Sequence, residues 1–248
     1  MVVEDMVILG VCCAAASVTQ SVSGFGFGVV LVAVLPIFGI PIPRVVMLVT
    51  LLVGLNIAIA LWRVRRHLSL RRVVWLVAGV PFGIPVGTYL LMHGPESVLR
   101  GMLGAVLVFA AAEPFVRGGG APAPEKRRWG FLAGVCSGAL GGALSTGGPP
   151  VVIYFYRRQW SKELTKASVM LTFVATVSLR LCYYTWQGLI GRANLVDAAV
   201  LAPVVVAGSL VGERLFHSIS QGGFRRALAT MIVVCGAYQL YRAVCLAL

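Results

Sequence analysis

The sequence predicts an all-α integral membrane protein made of two inverted-topology repeats. Of its 248 residues, 59% are hydrophobic and 12% are charged, whereas soluble domains have roughly 45–50% apolar and about 25% charged residues. The mean hydropathy is +0.92. The two halves of the chain also share matching residues at an offset of 124 positions. The composition therefore predicts the membrane, and the repetition predicts two related halves.

Six apolar tracts are long enough to cross a hydrocarbon layer about 30 Å thick. They lie at 44–62, 73–92, 98–116, 167–187, 194–212 and 227–247. These tracts leave no stretch for a soluble domain. We expect a first membrane repeat over residues 1–117, a cytoplasmic linker over 118–128 and a second membrane repeat over 129–248.

The internal repeat is visible at the residue level. The tripeptide Gly-Val-Cys at 10–12 recurs at 134–136, and Ser21 recurs as Ser145. Each half then contains one interrupted apolar segment followed by three uninterrupted ones. The interruptions read QSVSGFGFGVV at 20–30 and LSTGGPPVVIY at 144–154.

The interrupted segments predict broken helical hairpins. Only eight residues, Pro149 to Tyr156, precede the basic pair that begins at Arg157. They give about 12 Å of helix, which cannot span the bilayer. We therefore expect two half-helices that meet near mid-membrane in each repeat. Unwound backbone at that depth is tolerated only where protein encloses it or where it lines a wet cavity.

The basic residues predict the topology. The net charge is +13, but the basic residues cluster in short loops, which indicates topology determinants rather than a nucleic-acid partner. If each interrupted segment enters and returns, sixteen Lys and Arg face one side and four face the other. Single crossings would leave no bias. The returning path predicts a multi-pass membrane protein with both termini facing away from the cytoplasm and an inverted second half.

The two interruptions are the candidate substrate site. Free N–H groups at helix N-termini bind anions, glycine permits close approach, and hydroxyl groups add donors. Glycines that serve only helix packing are the alternative, which we favour for Gly83, Gly87, Gly208 and Gly212. The candidate binding residues are Gln20, Ser21, Ser23, Gly24, Phe25, Gly26, Phe27, Gly28, Ser145, Thr146, Gly147, Gly148, Pro149, Pro150 and Arg180.

Arg180 is the one basic residue well inside a predicted span. A central arginine costs at least about 2.5–3.5 kcal/mol on insertion scales, so it either binds an anion in the cavity or extends towards the interface. For Thr50, Asn56 and Thr172 we expect internal hydrogen bonds.

The segments TQSVSGFGFGVV and GVCSGALGGALSTGGPPVVIY, the second followed by a basic loop, resemble those of the sulfite exporter TauE/SafE family. The run at Pro203, Gly208 and Gly212 extends this resemblance over nearly the whole chain. The resemblance implies a carrier of the bacterial inner membrane for small anions such as sulfite and organosulfonates.

The favoured function is therefore a secondary carrier that exports small anions, and a passive anion channel is the alternative. An intramembrane hydrolase that uses Ser23 or Ser145 is disfavoured, because no histidine lies in a predicted span to act as base. The sequence has no GxxxxGK[ST] motif for ATP and no CxxC spacing for a metal. We expect no cofactor and no metal, an anion and the bilayer as partners, and we leave a homo-oligomer open.

Overall fold

The computed structural model describes residues 3–23, 26–64, 70–116, 127–156, 160, 162–216 and 221–247. These residues form ten α-helices and one short 3₁₀-helix at Leu35–Phe38, and they contain no strand. The α-helices are α1 (Val3–Ser23), α2 (Phe27–Val34), α3 (Ile42–Val64), α4 (Leu70–His93), α5 (Glu96–Val116), α6 (Arg127–Leu144), α7 (Gly148–Tyr156), α8 (Lys162–Trp186), α9 (Arg192–Phe216) and α10 (Gln221–Ala247).

The six predicted apolar tracts coincide with six of these helices, α3, α4, α5, α8, α9 and α10. Among the described residues, three helical segments are long and apolar enough to cross a membrane by length and composition. They are Arg71–His93, Ala167–Trp186 and Arg192–Gly212. Shorter apolar helical segments lie in α1, α2, α3 and α10. The prediction of an all-helical chain with several apolar spans is confirmed.

Both predicted interruptions are present. Gly26 has a φ of +125° just before α2, and Ser145 has a φ of +55° just after α6. Ser145 is the one non-glycine residue with a positive φ in the described part of the chain. Positive φ cannot continue a right-handed helix, so the chain changes direction at these two points.

The second interrupted segment folds back on itself. The Ser137 hydroxyl donates to the Gly147 carbonyl at 2.8 Å, and a methyl group built on Gly130 would lie 2.6 Å from the Tyr154 hydroxyl. Gly130 lies seven residues before Ser137 in α6, and Tyr154 lies seven residues after Gly147. Such pairing requires α7 to run antiparallel to α6.

The arms of the hairpins differ in length, so the expectation of two half-helices is wrong for the incoming arms. The incoming helices α1 and α6 have 21 and 18 residues, whereas α2 and α7 have eight and nine. At about 1.5 Å per residue the incoming arms are roughly 27–32 Å long. Their helices continue into charged flanking sequence, Glu4 and Asp5 in α1 and Arg127 and Arg128 in α6.

Glycines allow α4 and α6 to approach backbone to backbone. A methyl group built on Gly83 would lie 2.6 Å from the Ala139 nitrogen, and one on Gly87 would lie 2.7 Å from the Ala143 nitrogen. Each step of four residues along α4 matches a step of four along α6, so the two helices are parallel. The packing interpretation of these two glycines is confirmed.

The helices α1 and α9 form the corresponding contact. A methyl group built on Gly208 would lie 2.9 Å from Ser17 Cβ, and one on Gly212 would lie 2.9 Å from Ser21 Cβ. A step of four residues along α9 again matches a step of four residues along α1, so the two helices are parallel. The packing interpretation of Gly208 and Gly212 is confirmed as well.

The helices α5 and α10 pack in opposite directions. A methyl group built on Gly101 would lie 3.7 Å from Ala243 Cβ, and one on Gly236 would lie 3.1 Å from Leu107 Cβ. Contacts later in α5 are therefore made by residues earlier in α10, so the two helices are antiparallel. Exchanging the two halves of the chain maps the α4–α6 contact onto α9–α1 and maps the α5–α10 contact onto itself.

We expect Gly83→Ala to lower the free energy of unfolding by about 1–3 kcal/mol, since the added methyl group meets the backbone of α6, which cannot rotate away. The midpoint of thermal unfolding in detergent measures the change. Gly10→Ala is the matched control, because a methyl group at Gly10 meets no heavy atom within 4 Å. Equal midpoints for the two variants would contradict the contact.

Candidate functional site

The two interruptions touch each other inside the protein. A methyl group built on Gly28 would lie 2.5 Å from the Ser145 carbonyl oxygen. The Ser145 hydroxyl lies 3.2 Å from the Thr50 hydroxyl and donates to the Val46 carbonyl at 3.3 Å. The break of the second half is therefore held against α2 and α3 of the first half, and only glycine at position 28 permits this approach.

A cavity of about 60 Å³ lies where the breaks meet. Both hairpins line it, together with side chains of α3 and α8, so both halves of the chain contribute. The lining residues are Gln20, Gly26, Gly28, Val29, Val53, Ile57, Ser137, Ser145, Thr146, Gly147, Gly148, Phe173, Thr176, Val177 and Arg180. This volume has room for a few water molecules or for one small polyatomic ion.

Arg180 reaches the cavity from α8. The residue is 3% exposed, and its Nη1 donates to the Gly141 carbonyl at 2.8 Å. Its Nε is buried and has no hydrogen-bond partner in the described structure. Of the two alternatives for this residue, the structure thus has the side chain turned inwards rather than extended to the interface.

The positive charge of Arg180 is not neutralised by the carboxylates whose ion pairs the structure describes. Asp197 pairs with Arg44 at 2.9 Å, and Glu96 pairs with Arg100 at 2.6 Å. A buried guanidinium bound to a neutral carbonyl retains its full charge and most of its desolvation cost. An anion in the cavity would offset that cost.

Thr146 supplies a second unsatisfied group. The residue is 1% exposed, and its hydroxyl has no hydrogen-bond partner in the described structure. A buried hydroxyl without a partner costs about 1–3 kcal/mol. In contrast, the neighbouring hydroxyls of Ser137 and Thr176 donate to the carbonyls of Gly147 and Thr172. The cavity wall therefore contains one hydroxyl whose hydrogen-bonding capacity is unused in the described structure.

The backbone donors are fewer than the sequence indicates. The N–H of Ser145 donates to the Gly141 carbonyl at 2.9 Å, and that of Thr146 donates to the Leu140 carbonyl at 3.4 Å. Both bonds close the end of α6, so these two amides do not face a ligand. Since proline has no N–H, the remaining backbone donors before the second turn of α7 are Gly147 and Gly148.

Gln20 has a structural bond as well as a position on the cavity wall. Its side-chain oxygen accepts a hydrogen bond from the Phe27 N–H at 2.9 Å. This N–H is one of the first in α2, where no carbonyl of the same helix can accept it. Gln20 therefore fixes the start of α2 across the first break.

Eight of the predicted site residues line the cavity, namely Gln20, Gly26, Gly28, Ser145, Thr146, Gly147, Gly148 and Arg180. Four others do not: Ser21 donates to the Ser209 carbonyl of α9 at 3.1 Å, Phe27 is fully buried in the core, and Pro149 and Pro150 are absent from the lining. The side chain of Ser23 and the residues Gly24 and Phe25 lie outside the described residues.

Two polar lining residues, Ser137 and Thr176, were not among the predicted ones. Thr176 could have been found, because it precedes Arg180 by four residues and residues at that spacing share a helix face. Ser137 faces the cavity only because the chain returns along α6, and the register of that return is not visible in the sequence. Thr172 donates to the Ser168 carbonyl at 2.8 Å, as the expected internal bond requires.

Comparison with known proteins gives a family match over most of the chain. The model of a family described as sulfite exporter TauE/SafE matches residues 8–239. A Cupriavidus necator protein named probable sulfite/organosulfonate exporter TauE is 30% identical over 226 residues, which cover 88% of this chain and 87% of that protein. A Comamonas testosteroni protein named probable inner membrane transporter protein TsaS is 25% identical over 176 residues, or 68% and 73% of the two chains. No solved structure matches the chain.

We expect Thr146→Val to leave the free energy of unfolding unchanged or to raise it by about 1 kcal/mol, because the hydroxyl that it removes has no partner. Thr172→Val is the matched control and should lower it by about 1 kcal/mol, since that hydroxyl is bonded. Chemical denaturation of the two variants measures both changes. A loss in Thr146→Val as large as that in Thr172→Val would show that the Thr146 hydroxyl is satisfied within the protein.

Proposed function

The chain belongs to the sulfite exporter TauE/SafE family, and from that premise we propose that it is a secondary carrier that exports a small oxyanion. It is a multi-pass membrane transporter, since its relatives are named as an exporter and an inner membrane transporter. The observation that carries the oxyanion proposal is Arg180, a buried guanidinium with a free Nε on the wall of a cavity that both halves line.

The proposed substrate class is sulfite or a small organosulfonate, the class in the name of the Cupriavidus necator relative. The oxygen atoms of such an ion accept hydrogen bonds from Arg180 Nε, from the Thr146 hydroxyl and from the N–H groups of Gly147 and Gly148. Hydrogen bonds between a guanidinium and an oxyanion are about twice as strong as neutral ones. The start of α7 adds a favourable dipole.

The proposed architecture is an inverted repeat. In that arrangement the last helices of the two halves, α5 and α10, run in opposite directions, and their contacts support this direction. The parallel pairs α4–α6 and α1–α9 exchange with each other when the halves are exchanged, as a twofold relation requires. Inverted repeats with broken helices at the site are a common transporter design.

Transport by alternating access requires contacts that close each end of the cavity in turn. Arg44 of α3 pairs with Asp197 of α9 at 2.9 Å, and the Arg72 guanidinium of α4 lies 5.0 Å from the ring centre of Trp160 just before α8. In the proposed repeat these contacts lie at opposite ends of the bundle. Arg44 is partly exposed, and the cation–π contact is worth only about 0.5–2 kcal/mol, so either contact can break during a cycle.

The proposed direction is outwards, and both termini lie in the periplasm. A membrane potential that is negative inside favours the exit of an anion by about 2.3 kcal/mol per charge for each 100 mV. Export therefore needs no second ion to drive it.

We expect Arg180→Gln to reduce sulfite and organosulfonate transport in proteoliposomes by about 10- to 100-fold, because it removes a charged hydrogen-bond donor. Its thermal midpoint should stay equal or rise, since the variant no longer buries a charge. Arg242→Gln, which removes a charge from an exposed position of α10, serves as the control and should transport normally. Normal transport by Arg180→Gln would exclude Arg180 as a ligand.

We expect efflux of a radiolabelled substrate to saturate, to show counterflow and to accelerate when a potassium gradient with valinomycin makes the vesicle interior negative. A carrier of an anion requires all three. Liposomes without protein provide the control. Flux that rises linearly with concentration and shows no counterflow would indicate the alternative, a passive channel.

A further inference from the structure

The described part of the cavity lining contains one charged side chain among neutral ones. Arg180 is the one charged residue on its wall in the part of the chain that the structure describes, and five further lining residues are apolar. The five are Val29, Val53, Ile57, Phe173 and Val177. Positions 24 and 25 of the sequence, which lie outside the described residues, are Gly and Phe and carry no charge. The site thus offers one positive charge among neutral groups.

This lining distinguishes ions by their charge. A singly charged anion beside Arg180 forms a neutral complex, whereas a doubly charged anion leaves one negative charge unpaired in a site of low polarity. Removing a dianion from water costs about four times as much as removing a monoanion of the same size, while its attraction to one guanidinium only doubles. The five apolar side chains supply no compensation, and the neutral donors and the start of α7 carry only partial charges.

The neutral hydroxyl of Thr146 is also compatible with a singly charged anion. The unpartnered Thr146 hydroxyl can donate to a sulfonate oxygen, and it can also accept a hydrogen bond from a protonated oxygen. Lysine and arginine can only donate. The Thr146 hydroxyl can therefore form a hydrogen bond with either an ionised or a protonated oxygen of the anion.

We propose that the cavity selects its substrate by charge state, accepting singly charged oxyanions and rejecting doubly charged ones. Hydrogen sulfite and organosulfonates without a second ionised group belong to the first group, and sulfate and fully ionised sulfite belong to the second. This inference rests on the proposed function and narrows its substrate. Each hydrogen sulfite that leaves carries its own proton and one negative charge, so no protein group needs to transfer a proton.

The test is the binding of three anions to the purified full-length protein, measured by isothermal titration calorimetry below and above the second ionisation of sulfite. Methanesulfonate is singly charged throughout, so we expect the same affinity at both pH values. The apparent affinity for sulfite should fall about tenfold for each pH unit above that ionisation. Sulfate should bind at least 100-fold more weakly than methanesulfonate, about 2.7 kcal/mol at 25 °C.

The outcomes separate the two proposals. Sulfate that binds about as tightly as methanesulfonate, or sulfite affinity that stays constant or rises with pH, would overturn charge selection and leave the oxyanion carrier intact. If neither methanesulfonate nor sulfite binds at either pH, the oxyanion carrier fails and charge selection fails with it. The constant methanesulfonate affinity controls for titration of the protein itself.

A charge added to the apolar wall provides a second test. We expect Ile57→Lys to strengthen sulfate binding relative to methanesulfonate by at least about tenfold, because the second positive charge compensates the dianion. Ile57→Met changes the same position without a charge and should keep the preference of the original protein. An unchanged preference in a folded Ile57→Lys protein would contradict the inference, and the three-anion comparison stands whether or not this variant folds.

Discussion

The structure depends on the requirement that every backbone N–H and carbonyl inside a bilayer finds a partner within the protein. A helix that stops in lipid violates this requirement unless other segments enclose its end. At the end of α6, two amides bond back to α6, and the carbonyl of Ser145 lies against Gly28 of the other hairpin. The two breaks are therefore possible because each helps to enclose the other, and the space that they leave is the cavity.

The same requirement explains how the charged side chain is positioned. The Gly141 carbonyl accepts hydrogen bonds from Ser145 N–H at 2.9 Å and from Arg180 Nη1 at 2.8 Å, and the Gly142 carbonyl accepts one from the Tyr184 hydroxyl at 2.6 Å. One carbonyl thus holds both the end of α6 and the guanidinium. This shared acceptor fixes the Arg180 guanidinium relative to the break.

Structural features that depend on local sequence could be predicted, and features that depend on distant contacts could not. Gly, Pro and an apolar tract act through their own backbone or composition, so the breaks and the six helices could be predicted. The direction of Ser21 could not, because its hydroxyl turns to a carbonyl of α9, a helix nearly two hundred positions away. The loss of the Ser145 and Thr146 amides as donors, and the place of Ser137 on the cavity wall, depend in turn on how α6 ends and on the register of its hairpin.

The glycine contacts join helices of opposite halves of the chain. They join α4 of the first half to α6 of the second, and α9 of the second half to α1 of the first, with backbone atoms too close for sliding to be easy. A conformational change that preserves these contacts moves each hairpin with the scaffold helix of the opposite half. The cavity lies between the two units so formed, with Gly28 in one and Ser145 in the other. Separation of the contact between Gly28 and the Ser145 carbonyl therefore changes the shape of the cavity directly.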